Sequence, residues 1–348
     1  MGEMTNMKIN NFRAEGRTIE KYFGYAAISV CMLIISLLFT ACPGTTPSAN
    51  PDNGSVANGE KPEKPEKTSG YDAASGIGSV QSVNFVMKPI AAVNNASIGH
   101  SAEEDNPPRW VNLTAYHISE TEVTQELWQE VMGNNPSGFK GSSNSPAAGE
   151  VQMKRPVEMV TWFECIAFCN ELTKKTNRGA STTCVYYSDA AFKAVYTKDD
   201  AGAEKLPYAD WSKKGFRLPT EADWEWAAKA GKDDAWAGTI ILSELKDYAW
   251  LSDTGANKKT HEVKKKKPNA YGLYDMTGNV IEWCWDWYWR DTTIYGKQDP
   301  TGKETGTERV CRGGSWYQDA SEATRMIRFS EEPNDKDDNI GFRIACRS

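Results

Sequence analysis

The sequence predicts a single loop-rich domain of the α+β class behind an export signal. The chain of 348 residues contains 13 Trp, 14 Tyr and 11 Phe, which is more aromatic surface than a helical bundle needs for its core. Beyond residue 82, segments with helical or strand periodicity are separated by long irregular stretches. A formal net charge of −7 and a hydrophobic content of 39% exclude a membrane bundle and a basic nucleic-acid binder.

Residues 1–41 have the organisation of a lipoprotein signal peptide. Basic side chains, among them Lys8 and Lys21, precede an apolar run over 26–39 that leads into Thr40-Ala41-Cys42. This run is shorter than the roughly 20 residues that span a bilayer. The order of basic, apolar and small residues predicts that Cys42 is lipidated and anchors the chain at the outer membrane, on the cell surface. Ordinary signal-peptidase cleavage and an uncleaved anchor are the alternatives.

Residues 42–82 are predicted to form a flexible tether. They are rich in Pro, Gly, Ser, Asn and Ala, and residues 60–67 alternate Glu and Lys around proline. Such a segment buries too little apolar surface to offset its chain entropy. Residues 83–348 show no further break in composition and no internal repeat, so they are expected to form one domain.

Local signals place one strand and three helices in this domain. Residues 111–118 alternate apolar and polar side chains as a half-buried strand does. Thr124 supplies an N-cap for a helix over 125–132, and a second helix is expected over 161–175. A third is expected over 220–230, where Thr220 caps and acidic side chains lie near the positive N-terminal end.

Tryptophan recurs at every second position from 283 to 289. If this segment is extended, Trp283, Trp285, Trp287 and Trp289 lie on one side of it. They are interpreted as a wall of the core in a domain with few regular layers. A platform on which sugars stack is the alternative.

Ordered motifs carry a family resemblance from about residue 84 to the end. The domain resembles those of the formylglycine-generating-enzyme-like (sulfatase-modifying factor) family. The resemblance implies an α+β, C-type lectin-like fold that is loop-rich, with few short strands and two to three helices. Fold alone does not assign function, because one fold hosts many activities. The motifs are Thr121-Glu-Val-Thr124, Arg155-Pro-Val157 with Val160-Thr-Trp162, residues 216–226, residues 269–283, Arg312-Gly-Gly-Ser-Trp316 and Gly341-Phe-Arg343.

The resemblance also predicts that the family's oxidase chemistry is missing. Catalytic members carry two copper-binding cysteines shortly after the Gly-Gly-Ser motif, and by spacing those positions are Gln318 and Ala323. Neither residue can form the thiolate that such chemistry needs. The chain has only 3 His, too few and too scattered for the three-histidine iron site of related enzymes. No catalytic residue and no catalytic cofactor are therefore expected, and a divergent oxidase or another enzyme of the same fold is the alternative.

Residues from about 310 to 340 resemble the variable region of proteins that are diversified by a retroelement. In such genes adenines of the template are altered, so an AAC or AAT codon can become one for Asp, Tyr, Ser, Ile or Phe. The segment 317–338 is acidic, which disfavours nucleic acid and favours a protein or another surface macromolecule as the ligand. An ordinary solvated loop is the alternative. The candidate ligand-binding residues are Tyr317, Gln318, Asp319, Ser321, Glu322, Ile327, Phe329, Ser330, Asp335, Asp337 and Asp338.

A structural calcium ion is a further implication of the resemblance. Asp275, Gly278, Val280 and Glu282 match positions at which the family binds calcium through side-chain and backbone oxygens. Such oxygens are the hard ligands that calcium prefers. The alternative is that Glu282 only bonds turn amides.

Six cysteines follow Cys42, and an exported chain allows disulfides. Some family members join the second helix to the last strand by a disulfide. The resemblance therefore implies a bond between Cys169 and Cys346, with buried free thiols as the alternative.

Overall fold

The computed structural model describes residues 69–176, 181–294 and 296–348, which belong to one compact unit. The predicted signal peptide, Cys42 and residues 42–68 of the predicted tether lie outside these ranges. None of the helices within them is long and apolar enough to cross a membrane.

The predicted tether extends too far toward the C terminus. Residues 70–82 include two strands, β1 (Gly70–Asp72) and β2 (Ile77–Val80), which pair with each other and, through β2, with β3 (Val83–Ile90). Val80 is 1% exposed and belongs to the main hydrophobic core. The hairpin was missed because β1 contributes only the partly buried Tyr71 to the core and β2 is only four residues long.

Four α-helices are present in the described ranges. They are α1 (Gln125–Met132), α2 (Trp162–Lys175), α3 (Lys198–Gly202) and α4 (Glu221–Lys229). Thr124, Thr161 and Thr220 cap α1, α2 and α4, and each side chain accepts a hydrogen bond from a backbone amide of the first turn. The three helices predicted from sequence are therefore confirmed, while α3 was not predicted.

A six-stranded antiparallel sheet has the order β1-β2-β3-β6-β14-β9. It includes β6 (Tyr116–Ser119), β9 (Phe216–Arg217) and β14 (Ala345–Arg347). Since β14 lies between β6 and β9, the C-terminal strand joins two distant parts of the chain. The buried face of α2 packs in the same core as β9 and β14.

The strand predicted over 111–118 is two strands in different sheets. The first is β5 (Arg109–Leu113), which pairs with β4 (Val93–Ile98), and the second is β6. The break lies at Thr114, whose backbone N and Oγ1 donate to the carboxylate of Asp299 at 2.7 and 2.6 Å. The Asp299 contact takes the Thr114 amide out of the ladder, which the alternating pattern alone could not show.

The second sheet contains most of the segment in which tryptophan recurs at every second position. Its strand order is β12-β11-β10-β13. Its strands are β10 (Ile281–Trp287), β11 (Arg309–Arg312), β12 (Arg328–Glu331) and β13 (Ile340–Gly341). A separate hairpin joins β7 (Tyr186–Tyr187) to β8 (Tyr208–Ala209).

Trp283 and Trp287 are buried, as expected for a core wall, whereas Trp289 is 46% exposed. The guanidinium of Arg309 lies 3.3 Å from the Trp287 ring centroid.

Two buried carboxylates on α4 hold the segments around β12. Glu221 accepts from Arg328 Nε at 2.5 Å and from Nη2 at 2.9 Å. Glu225 accepts from Arg312 Nη2 at 2.7 Å, and Arg325 Nη1 lies 3.7 Å away from it. We call these five residues the arginine clamp. Burial alone would raise the pKa of Glu221, but Arg328 and Arg312 outweigh it and hold the pKa at about 2.

Removing one member of the arginine clamp should destabilise the domain. We expect Glu221→Gln to lower the free energy of unfolding at pH 7 by about 3–5 kcal/mol, because the Arg328 charge stays buried without a counter-charge. Denaturant unfolding measures this, with the exposed Glu304→Gln as the matched control. The clamp contribution is present above the unfolded pKa of about 4.5 and is lost as the pH falls toward 2. Equal stability of both variants at pH 7 would contradict this role.

Candidate ligand-binding site

A tight turn at Gly313–Gly314 begins the predicted variable region. Both glycines have positive φ, 98° and 70°, which favours glycine over other residues. A Cβ on Gly314 would lie 2.6 Å from Cβ of Ala323, so the close approach of these two backbones also requires glycine. The turn therefore fixes where the chain leaves β11.

Gln318 belongs to this scaffold and is not a ligand-binding residue, which corrects the sequence prediction. Its side chain is 3% exposed, and its Oε1 accepts from Ser315 N at 3.0 Å and from Ser315 Oγ at 2.6 Å. Its backbone oxygen accepts from Ser252 N at 2.9 Å. A residue whose buried side chain satisfies two donors of Ser315 cannot vary freely, and its exposed neighbours in sequence gave no sign of this.

The two positions at which the resemblance placed catalytic cysteines lie together. Gln318 and Ala323 are both near Gly314, and Ala323 is fully buried. The six cysteines of the described ranges are buried and none is joined to another by a disulfide, so the implied bond between Cys169 and Cys346 is wrong. Burial raises the pKa of Cys165, Cys169, Cys184, Cys284 and Cys311. These five thiols are thus held in the protonated, unreactive form.

The other ten candidate residues reach solvent wholly or in part. Tyr317 is 61% exposed, and Asp319, Ser321 and Asp337 are also exposed. The remaining six are partly buried. We call this set the display surface: Tyr317, Asp319, Ser321, Glu322, Ile327, Phe329, Ser330, Asp335, Asp337 and Asp338.

Trp316 brings the two ends of the display surface together. Its indole Nε1 donates to the backbone oxygen of Asp338 at 3.2 Å, and its ring packs edge-on against Tyr317 at 5.8 Å. On its other side it packs edge-on against Phe139 at 5.4 Å. Tyr317 and Asp338 are therefore neighbours although 21 positions separate them in the sequence.

The display surface is not uniformly free. Oδ1 of Asp319 accepts from Ser321 Oγ at 2.6 Å and from two backbone amides, so it stabilises its own turn. Phe329 packs partly on the main core, and Ser330 Oγ donates to Glu308 at 2.7 Å. Tyr317, Asp335, Asp337 and Asp338 are the members whose side chains contribute least to the scaffold.

Acidic side chains crowd one part of this surface. Burial and then the charges of Asp335, Asp337 and Glu308 raise the pKa of Glu331 to about 7. Burial and the neighbouring Asp337 raise the pKa of Asp338 to about 6. Arg325 and Arg328, two of the three basic residues of the segment 317–338, are 2% and 7% exposed within the arginine clamp. The exposed charge is therefore more negative than composition indicates.

The predicted calcium ligands do not form a site that fits the ion. Both oxygens of Glu282 accept from Arg343, at 2.7 Å each, and Oε2 also accepts from Trp224 Nε1. Asp275 Oδ2 accepts from Lys264 N, and burial raises the pKa of Asp275 to about 6. A buried guanidinium on Glu282 repels a dication, and the described ranges contain no metal-ready group of three His, Cys, Asp or Glu side chains. Gly278 and Val280 lie in the buried turn beside these residues.

Sequence reasoning missed the loop that borders the display surface. Backbone amides of Gly138 and Phe139 donate to the buried Glu158 at 2.8 and 3.0 Å. A Cβ on Gly138 would lie 3.6 Å from Cβ of Asp338. This contact joins residues 200 positions apart, and the loop is polar and ordinary in composition, so no local signal could have revealed it.

Comparison with known proteins agrees with the fold. A solved structure described as Treponema denticola variable protein 1 is 49% identical, has a TM-score of 0.71, and is matched over 78% of this chain and 98% of that one. Chaperone protein LppX of Paenibacillus barcinonensis is 32% identical over 259 residues, 68% of this chain and 81% of LppX. Formylglycine-generating enzyme of Thermomonospora curvata is 38% identical over 161 residues, which covers only 52% of that enzyme.

The fold predicted from the sequence is confirmed by these matches. The family model for the sulfatase-modifying factor enzyme 1-like domain matches residues 80–348, which is more than half of the chain. The α+β architecture with few helices and short strands is that of this family. Over residues 80–348 the chain belongs to the sulfatase-modifying factor enzyme 1-like family.

Proposed function

We propose that this protein is a non-catalytic ligand-binding protein whose display surface contacts a macromolecular ligand. The observation that carries the proposal is that residues 312–338 include two kinds of side chain, those that are buried and stabilise the fold and those that reach solvent. The arginines of this segment are buried in the arginine clamp, whereas the side chains of the display surface reach solvent. Because buried contacts fix the path of the backbone, the side chains that point to solvent can differ without loss of the fold.

The state of the described thiols and of positions 318 and 323 supports binding rather than oxidase catalysis. Gln318 and Ala323 carry no thiol, and the five thiols with raised pKa values are buried. His261, the histidine nearest in sequence, is 2% exposed and engaged with Glu150 and the backbone oxygen of Ala256. A nucleophile or redox centre needs an accessible ionised group, which these residues do not offer.

The chemistry of the surface favours a protein ligand with basic or mixed charge. Tyr317 offers an exposed aromatic ring, the type of side chain that dominates binding energy in interfaces. The neighbouring carboxylates attract Lys and Arg side chains and repel nucleic acid. Affinity for such a ligand should fall as salt rises, because the acidic side chains are near the surface.

Surface display and diversification extend the proposal to the whole chain. The basic, apolar and small-residue order that ends at Cys42 supports a lipid anchor at the outer membrane. Nine of the ten residues on the display surface are of types that adenine alteration of AAC or AAT codons produces, and Glu322 needs a template codon that ends in a purine. A nearby imperfect repeat of the last part of the gene, beside a reverse transcriptase gene and differing only at template adenines, would support diversification; absence of any repeat would contradict it.

The display surface should tolerate substitution where the buried positions of the same segment do not. We expect single replacements of Tyr317, Asp335 or Asp337 to change the free energy of unfolding by within about 0.5 kcal/mol. Replacements of Gln318 or Arg325 should cost more than about 2 kcal/mol, because they leave buried partners unsatisfied. Protease resistance of a displayed variant library measures all positions together. If substitutions at the buried positions and at the display-surface positions had similar effects on stability, the distinction between the two kinds of position would be refuted.

The acidic side chains around Glu331 should make the free energy of unfolding fall as the pH rises. The raised pKa of Glu331 means that its contribution is fully present below about pH 4.5 and is lost as the pH rises through about 7. We therefore expect Glu331→Gln to stabilise the protein relative to wild type at pH 8, but not at pH 4.5. Urea unfolding at both pH values tests this, with Glu304→Gln as control. If the free energies of unfolding of wild type and Glu331→Gln changed in parallel with pH, the raised pKa of Glu331 would be contradicted.

An oxidase assay separates the proposal from its enzymatic alternative. The purified chain, supplied with copper and a cysteine-containing peptide, is expected to consume no oxygen above the rate in the absence of protein. Restoring thiols by Gln318→Cys with Ala323→Cys provides a matched comparison at the positions that the family resemblance identifies. Copper-dependent oxygen consumption by the unaltered chain would overturn the non-catalytic assignment.

A further inference from the structure

A polar cavity of about 340 Å³ lies beside the display surface. It is bounded by the loop that follows Phe139 and by the turn that contains Lys258 and Lys259. Phe139 connects it to the display surface, because the Phe139 ring packs against Trp316. Two lysines and no carboxylate line the cavity, although the chain as a whole is acidic. The lining residues are Phe139, Ser142, Ser143, Asn144, Ser145, Asn257, Lys258 and Lys259.

Arg155 lies behind this lining with one unused donor. Its side chain is fully buried, Nη1 donates to the Asn144 backbone oxygen at 2.8 Å, and Nε donates to Thr260 Oγ1 at 3.0 Å. Its guanidinium carbon lies 5.0 Å from the Phe139 ring centroid. Nη2 has no hydrogen-bond partner among the residues that the structure describes. Nη2 is itself buried, so Arg155 places positive charge behind the lining and does not contact an occupant of the cavity directly.

The acids nearest to Arg155 do not use this donor. Glu150 and Glu158 act on Arg155 through their charges. Glu158, however, accepts from the amides of Gly138 and Phe139, and Glu150 pairs with His261 at 2.8 Å. Neither carboxylate hydrogen-bonds to Arg155, whose positive charge lies next to Asn144 and Phe139 of the cavity lining.

We propose that this cavity binds a carboxylate, supplied by an acidic side chain of a protein ligand. Lys258 and Lys259 provide the cationic donors, the buried Arg155 adds positive charge from behind the lining, and the serine hydroxyls provide further hydrogen bonds. The apolar ring of Phe139 matches the methylene groups of a Glu side chain. A polyphosphate or nucleic acid would instead meet the carboxylates of Asp337 and Asp338 on the far side of Phe139 and Trp316.

The cavity and the display surface together describe a ligand of mixed charge. An acidic residue of the ligand would enter the cavity, while basic residues of the same ligand would lie on the acidic part of the display surface. The carboxylate site depends on residues outside the variable region, so it would be common to all variants of the display surface. It does not rest on diversification and is tested separately from it.

A titration with a fluorescent penta-glutamate peptide tests the site on the full chain. We expect saturable binding that weakens at least tenfold in Lys258→Gln and in Lys259→Gln. Lys193→Gln is the matched control, since Lys193 belongs to the Asp189–Ala194 turn, whose amides bond to Asp189. Arg155→Lys should also weaken binding, and Lys258 at the exposed rim keeps the test valid if that buried variant fails to fold.

Competition experiments decide the chemical class of the ligand. Glutarate should displace the peptide, whereas inorganic phosphate at equal ionic strength should not. Asp338→Asn should leave peptide binding intact or strengthen it, which separates this site from the display surface. The proposal is overturned if wild type does not bind the peptide, if Lys193→Gln weakens binding as much as Lys258→Gln, or if phosphate competes as well as glutarate.

Discussion

Buried ion pairs between α4 and the C-terminal segment determine how this domain presents its surface. Glu221 and Glu225 lie on one short helix, yet they hold three arginines from residues 312–328. Breaking one buried pair leaves an uncompensated charge in the interior, so the segment is held in the arrangement that brings its arginines to Glu221 and Glu225. This requirement explains why an irregular stretch with few backbone ladder bonds keeps a defined path.

The same arrangement divides the segment into two kinds of position. Gln318, Ala323 and Arg325 face inward and satisfy donors or fill space beside Gly314 and α4. Tyr317, Asp335 and Asp337 face outward, and their replacement removes little contact with the scaffold. Variation at the second kind of position would change what the surface binds and not how the domain folds. The loop bearing Gly138 and Phe139 borders this surface.

Local sequence signals predicted the elements that local interactions determine. Thr124, Thr161 and Thr220 marked helix starts because a cap bonds to amides only two or three positions away. The prediction of one strand over 111–118 was wrong because Thr114 bonds to Asp299, which lies almost 200 positions away in the sequence. The hairpin of β1 and β2 was missed because short strands in a Gly- and Ser-rich stretch carry little periodicity.

The site shows the same limit. Ten of the eleven candidate residues reach solvent, but the burial of Gln318 follows from its contact with Ser315 and could not be seen in a run of polar residues. The calcium set was inferred from resemblance, and the pairing of Glu282 with Arg343 is a contact across 61 positions. Charge composition also misled, since Arg325 and Arg328 neutralise α4 and not the exposed acids.

A double-mutant cycle on Glu221 and Arg328 tests most directly whether buried pairing fixes the segment that bears the display surface. The cycle compares unfolding free energies of wild type, Glu221→Gln, Arg328→Met and the double variant, with amide hydrogen exchange of residues 312–331 followed in each. The structure predicts a coupling energy on the order of 2 kcal/mol or more and faster exchange in both single variants. Additive free energies with unchanged exchange protection would contradict it.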